Sequence, residues 1–247
     1  MAAAASQTAV KALELMAALG EFPRGATAGQ IAEATGYPFT TAYRLLHTLV
    51  SAGYAEYEPT GKVYRLGLRL FQLGQKVAHA RGLDETARPV MERLTAQTGE
   101  SSILATLDGD QVLTLCTVDG PQFRTTTDPG DHGPLSTSAV GKVLLASHPE
   151  LLDTVELVAR TSRSITDRDV LRAEIDGVRA RGWASQLEEN DDGMAAVAVP
   201  VRSGAGRVVA TLALAAPVFR KDVDAMAAYV PQLREAATVL GAELVIR

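Results

Sequence analysis

Between Ala28 and Ala52 two short helical patterns are separated by Gly36-Tyr37-Pro38, and this separator restricts the fold more than any other feature of the chain. Glycine ends a helix readily in the left-handed conformation, and proline pre-sets φ for the first turn of the next one. Two helices joined so tightly make a helix-turn-helix arrangement. Thr27 is placed to cap the first, over Ala28 to Thr35, and the second opens at Pro38 and runs to about Ala52, with Gly53 beyond it. Upstream, Val10, Leu13 and Ala17 recur at i, i+3 and i+7 with Met16 beside them. Residues 7–19 therefore read as an amphipathic helix, ended by Gly20 and Pro23.

The helix after Pro38 has two faces at about 100° per residue. Ala42, Leu45, Leu46 and Leu49 form the apolar stripe; Thr40, Arg44, His47 and Ser51 lie opposite, flanked by Thr41 and Tyr43. Such a face suits plain solvent exposure or nucleic-acid reading. It carries no acidic residue, and its donors crowd the first two turns, the part of a recognition helix that reaches base edges. Tyr54 to Glu58 and Lys62 to Arg65 then read as short strands joined by Pro59-Thr60-Gly61. A hairpin directly after a helix-turn-helix is a wing, with Lys62 at its tip and Arg65 on the returning strand placed to meet phosphates.

Charge follows the same division. The chain of 247 residues carries a net charge of −5, yet its first 81 residues hold eight Lys/Arg against five Glu. A modestly basic segment on an acidic body is the pattern of a DNA-binding module joined to a domain with another task. The apolar run Val208 to Phe219 is too short for a membrane helix, which needs about 20 residues. The opening Met-Ala-Ala-Ala-Ala-Ser lacks the basic and apolar regions of a secretory signal. One cysteine, Cys116, permits no internal disulfide, and the four His show no ligand spacing. The expectation is a soluble, cytoplasmic protein without membrane span, metal or cofactor.

Leu66, Leu70, Leu73 and Val77 repeat at helical spacing up to the break at Arg81-Gly82. With only three turns it is too short for a coiled coil, and packing on its own chain accounts for it. Beyond it, residues 84–98 read as a helix capped by Asp84, with Ala87, Val90, Met91 and Leu94 inside. Ile103 to Leu107 and Val112 to Val118 form one hairpin, Ala195 to Arg202 and Val208 to Ala216 another. Thr166 and Asp169 resemble a capping box for a helix with Leu171, Ile175 and Val178 inside, and residues 222–245 read as helical with a kink near Pro231. Hairpins mixed with helices, without βαβ alternation, make an α+β domain with an antiparallel sheet.

Catalytic motifs are weak. Ser203-Gly-Ala-Gly206 lies between strands and lacks the third glycine of a dinucleotide loop. Ser138 and Lys142 are four apart rather than three, so the Ser-x-x-Lys pattern is absent. Cys116 sits mid-strand as a core residue, and Glu188 to Asp192 lacks the features of a calcium loop and reads as an exposed loop. More telling is the helix start near Ser136, whose first turn has small hydroxyl side chains and no acid. Ordinary serine capping explains it, and so does an anion held on free N–H groups.

The string Ile31-Ala-Glu-Ala-Thr-Gly-Tyr-Pro-Phe-Thr-Thr-Ala-Tyr-Arg-Leu-Leu-His-Thr-Leu49, with Gly53-Tyr54 and Tyr64-Arg-Leu-Gly-Leu-Arg-Leu70, closely resembles the winged helix of the IclR (isocitrate lyase regulator) family. The resemblance continues at Gly133-Pro-Leu-Ser-Thr-Ser-Ala-Val-Gly-Lys142, Arg181-Gly-Trp183, Glu188-Glu189, Gly193 to Val201 and Val209 to Pro217, in the family's order over essentially the whole chain. Phe39 stands where members often carry a polar or basic residue. The resemblance implies a winged helix-turn-helix over 1–65, a linker helix over 66–82 that helps pair two copies, and a GAF-like effector domain over 83–247. It implies DNA contacts from Thr40, Thr41, Tyr43, Arg44, His47, Lys62 and Arg65. An effector would lie near Thr137, Ser138, Ala139, Val140, Gln186, Met194, Ala196, Ala213 and Ala215, and the two alanines of the last strand argue against a very small hydrophilic acid. The expected partners are a double-stranded, pseudo-palindromic operator, a small organic acid or related aromatic metabolite, and further copies of the chain in a dimer or tetramer. The expected class is a regulator rather than an enzyme. The other class that fits is an enzyme or sensor domain fused to a DNA-binding module, which a turnover screen would separate.

Overall fold

A computed structural model of the chain describes residues 6–124 and 127–244, apart from the Asp84 side chain. The opening Met-Ala-Ala-Ala-Ala stretch, the proposed Asp84 cap and the expected helical end at residue 245 therefore lie outside the described residues. The chain forms two compact units, Met1–Val77 and Ala78–Arg247.

In the first unit, α1 spans Gln7–Gly20, α2 Ala28–Thr35 and α3 Phe39–Ser51. Thr27 and Gln30 make a reciprocal capping box at the start of α2, and Gly36 ends it at φ +70°. Pro38 precedes α3 without a side-chain cap of its own. The core joins Leu15 and Leu19 to Ile31, Leu45, Leu46 and Leu49. The stripe of α1 is thus not the expected one, since Val10, Leu13 and Ala17 are exposed and Ala12, Leu15, Met16 and Leu19 face inward. A helix this rich in Ala and Leu offers several stripes at helical spacing, and its packing partners select one. Strands β1 (Ala55–Glu58) and β2 (Val63–Leu66) form the wing, in antiparallel register with Tyr57 opposite Tyr64. Tyr64 also exchanges backbone hydrogen bonds with Ala26, at 2.7 and 2.9 Å, which ties the wing to the start of α2. The close approach of the two wing ends needs a glycine at 67, where a Cβ would lie 2.5 Å from the Gly53 carbonyl oxygen.

Helix α4 (Leu68–Ala80) contains no buried residue. Leu68, Phe71, Leu73 and Val77 are exposed and Leu70 is half-buried. Leu66 belongs to the wing strand rather than to this helix, so the apolar stripe begins one element earlier than the helix does.

In the second unit a π-helical turn, Leu83–Ala87, leads into α5 (Arg88–Thr98). The remaining elements are β3 (Ser101–Asp108), β4 (Gln111–Val118), β5 (His132–Pro134), α6 (Ala139–Ser147), a 3-10 turn (Pro149–Leu151), α7 (Arg168–Arg181), β6 (Ala184–Leu187), β7 (Met194–Arg202), β8 (Val208–Pro217), α8 (Val223–Ala227) and α9 (Val230–Glu243). Six strands form one antiparallel sheet in the order β5-β4-β3-β8-β7-β6. Strand alternation puts Leu212 and Leu214 in one core with α5, α8 and α9, and Ala213 and Ala215 in a second core with α6 and α7. Cys116 is buried in the first.

Three expectations are corrected. Asp167, not a Thr166/Asp169 box, caps α7 by accepting the Asp169 and Val170 N–H groups. Two separate helices replace a kink near Pro231, because proline sits comfortably in the first turn of α9. Glu188 to Asp191 are partly buried rather than an exposed loop, and Asn190 and Asp191 line the cavity described next.

Candidate nucleic-acid interface and ligand cavity

On α3 the apolar stripe is buried, while Thr40, Tyr43, Arg44 and His47 are exposed and Thr41 is half-buried. Ser51 is exposed on the same face, with its hydroxyl donating to the His47 carbonyl at 2.9 Å. A feature missed in the sequence is a chain of aromatic contacts. Phe39 stacks on Tyr43 at 5.9 Å, Tyr43 meets the edge of His47 at 4.5 Å, and His47 meets buried Tyr64 at 6.2 Å. The i, i+4 spacing of Phe39, Tyr43 and His47 was a signal for it. Lys62 is exposed in the wing turn at φ +51°. Arg65 donates to the Arg24 carbonyl at 3.1 Å and lies 3.6 Å from the Glu58 carboxylate, so its guanidinium is already engaged within the unit.

In the second unit a cavity of about 330 Å³ opens between the sheet and the start of α6. Ser138, Ala139, Val140, Gln186, Met194, Ala196, Ala213 and Ala215 line it. Thr137 does not. It is fully buried, and its hydroxyl donates to Asn190 Oδ1 at 2.8 Å, which holds the opposite wall. Ser138 caps α6 by accepting the Gly141 N–H at 3.1 Å, leaving the Ala139 and Val140 N–H groups at the mouth of a turn without acidic residues. A Cβ at Gly141 would collide with the Leu135 backbone, so glycine lets α6 start this close to the preceding chain.

Sequence reasoning missed Arg160, Asn190, His132, Thr114 and Phe123, which also line the cavity. Arg160 donates from Nε to the Asn190 carbonyl at 3.1 Å, with Nη2 3.9 Å from Asp191. It puts a cation on the wall of a cavity lined by small apolar side chains and by polar ones, among them Thr114, His132, Gln186, Asn190 and the carboxylates of Asp131 and Asp191. Behind this wall Lys142 is buried, its Nζ donating to Glu189 Oε1 at 2.7 Å and the Ser185 carbonyl at 3.1 Å, with Glu174 at 3.8 Å. Burial pushes the Glu189 carboxyl above the usual range, and Lys142 only partly offsets this. Ser138 and Lys142 thus have separate structural partners rather than forming a nucleophile pair. Among the described residues no group of three His, Cys, Asp or Glu is arranged to hold a metal ion, and no helix is long and apolar enough to cross a membrane.

A helix-turn-helix with a wing, joined to an antiparallel-sheet domain with an open, ligand-sized cavity, defines a DNA-binding, ligand-sensing regulator. Residues 8–59 match the IclR helix-turn-helix domain and residues 75–241 match the bacterial transcriptional regulator IclR C-terminal domain. The chain belongs to the IclR family of bacterial transcriptional regulators. It is 31 % identical to the HTH-type transcriptional regulator KdgR of Escherichia coli K12 over 95 % of this chain and 91 % of that one. Among solved structures, an IclR-type regulator from Alicyclobacillus acidocaldarius superposes with a TM-score of 0.85 at 26 % identity, covering 96 % of this chain and 98 % of that one. An IclR homolog from Microbacterium hydrocarbonoxydans, solved in complex with 4-hydroxybenzoate, gives 0.80 at 28 % identity, covering 93 % and 97 %.

Proposed function

We propose that this chain is a non-enzymatic regulator that reads a pseudo-palindromic operator through α3 and the wing, and whose operator affinity is changed by a small aromatic or medium-sized aliphatic acid. The single observation that carries the effector reading is the cavity's polarity. The Ala139 and Val140 N–H groups at the start of α6 and the Arg160 guanidinium, all on the cavity lining, are suited to a carboxylate. Met194, Ala196, Ala213 and Ala215 accommodate a ring, while Thr114, His132, Gln186 and Asn190 on the same lining can hydrogen-bond to a ring substituent. The volume is at the small end for ligand pockets, which start at about 300 Å³. The 4-hydroxybenzoate bound by the Microbacterium relative is a compound of this class.

A single winged helix reads few base pairs, so a symmetric operator calls for two copies. The exposed Leu68, Phe71, Leu73 and Val77 of α4 support pairing into a dimer or tetramer through this helix. The DNA reading is tested by mobility-shift titration against an operator selected from random duplexes. Arg44→Ala should lose about 1–3 kcal/mol and relax specificity at one base pair. Lys62→Ala should weaken all sequences alike and lower the salt slope by about one. Unchanged binding by Arg44→Ala would refute α3 as the reading helix.

A further inference from the structure

Phe39 is the first residue of α3 and is 55 % exposed. The ring is held from behind by Tyr43, with the two planes 22° apart, and the contacts pass through His47 to Tyr64, which is 2 % exposed in the core. An apolar ring is thus backed by packing and left solvent-facing, beside Thr40 and one turn before Tyr43, at the end of a recognition helix that reaches base edges. Thr40, Arg44 and His47 can hydrogen-bond to bases, but a phenyl ring cannot bond to a base edge or a phosphate. The one apolar group in the major groove is the C5-methyl of thymine.

We propose that Phe39, positioned by Tyr43, is a specificity-determining residue that packs against the C5-methyl group of one thymine in each operator half-site. This rests on the assignment of α3 as the reading helix. The ring would bury the methyl without a polar contact, so the preference would be for thymine over any base, uracil included, that lacks the methyl.

Deoxyuridine differs from thymidine in that methyl alone. The test takes an operator selected from random duplexes by the full-length protein and replaces each thymine singly with deoxyuridine. In the wild-type protein one position per half-site should lose about fourfold in affinity, the value of one buried methyl-sized group. Replacing both half-sites together should lose about fifteenfold. In Phe39→Ser the same replacements should have no effect, while Phe39→Leu should keep part of the discrimination. Neutrality of every deoxyuridine in the wild-type protein would overturn the proposal. So would a sensitive thymine whose loss persists undiminished in Phe39→Ser, because another side chain would then read the methyl. Failure of the underlying assignment looks different: no sequence is selected, or Arg44→Ala binds as well as wild type, and either result would overturn the role of Phe39 as well.

Discussion

In the first unit Phe39, Tyr43, Arg44 and His47 stand exposed on one helix face, whereas in the second Lys142 is 2 % exposed and held between Glu189 and Glu174. Glu100, 1 % exposed, is likewise paired with Arg220 at 3.1 Å, and burial pushes its carboxyl upward against the pull of Arg220 and Lys221. Both units use cations, but for different ends. An exposed charge contributes little to folding and stays available to a partner in water. A buried one, once it loses its partner, costs several kcal/mol, and in return it can fix the wall of a cavity. The reading face should therefore tolerate substitution without unfolding, and the cavity's supports should not.

The sharpest test of this contrast is Lys142→Met, which keeps the side-chain volume and strands the Glu189 carboxylate. Stability should fall by about 3–5 kcal/mol in denaturant titration. The pH dependence has a definite sign. With its pKa raised in the folded protein, Glu189 holds its proton above the ordinary glutamate range while the unfolded chain has released it. Stability therefore falls as pH rises through that window, and the defect of Lys142→Met should be larger at pH 8 than at pH 5. A loss under 1 kcal/mol, equal at both pH values, would remove the distinction between the two units.

Ala213→Leu probes the cavity directly, since this residue is buried and lines it. The added side chain should fill the space at a stability cost of about 1–3 kcal/mol or less. Calorimetry with a panel of acids should show aromatic acids binding the wild-type protein and failing to bind this variant, while operator binding survives. Tight binding of a two- or three-carbon polar acid, unchanged by the substitution, would locate the effector elsewhere.

The smallest expected effect concerns α4, whose Leu73 and Val77 are 41 % and 52 % exposed. Light scattering should find the wild-type protein as a dimer or tetramer. Changing both residues to Ser should weaken assembly about tenfold, roughly 1.4 kcal/mol, without loss of helix content. A monomer at micromolar concentration that still gripped its operator would detach the stripe from pairing.

Several features were legible because their causes are local. Thr27, Gly36 and Pro38 define the helix-turn-helix through caps and φ preferences spanning a few residues, and the two faces of α3 follow from its periodicity. The two long hairpins, β3–β4 and β7–β8, follow from β-rich runs on either side of short turns. Eight of the nine expected pocket residues line the cavity because the family resemblance carried long-range information that periodicity does not. Tertiary structure alone decided the rest. The inward face of α1 was chosen by α2 and α3 among stripes of nearly equal hydrophobicity. Lys142 and Glu189 are 47 residues apart, Thr137 and Asn190 are 53 apart, and Arg160 reaches the Asn190 carbonyl across 30. No local pattern announces such pairs, because what makes them favourable is the water that folding removes from around them.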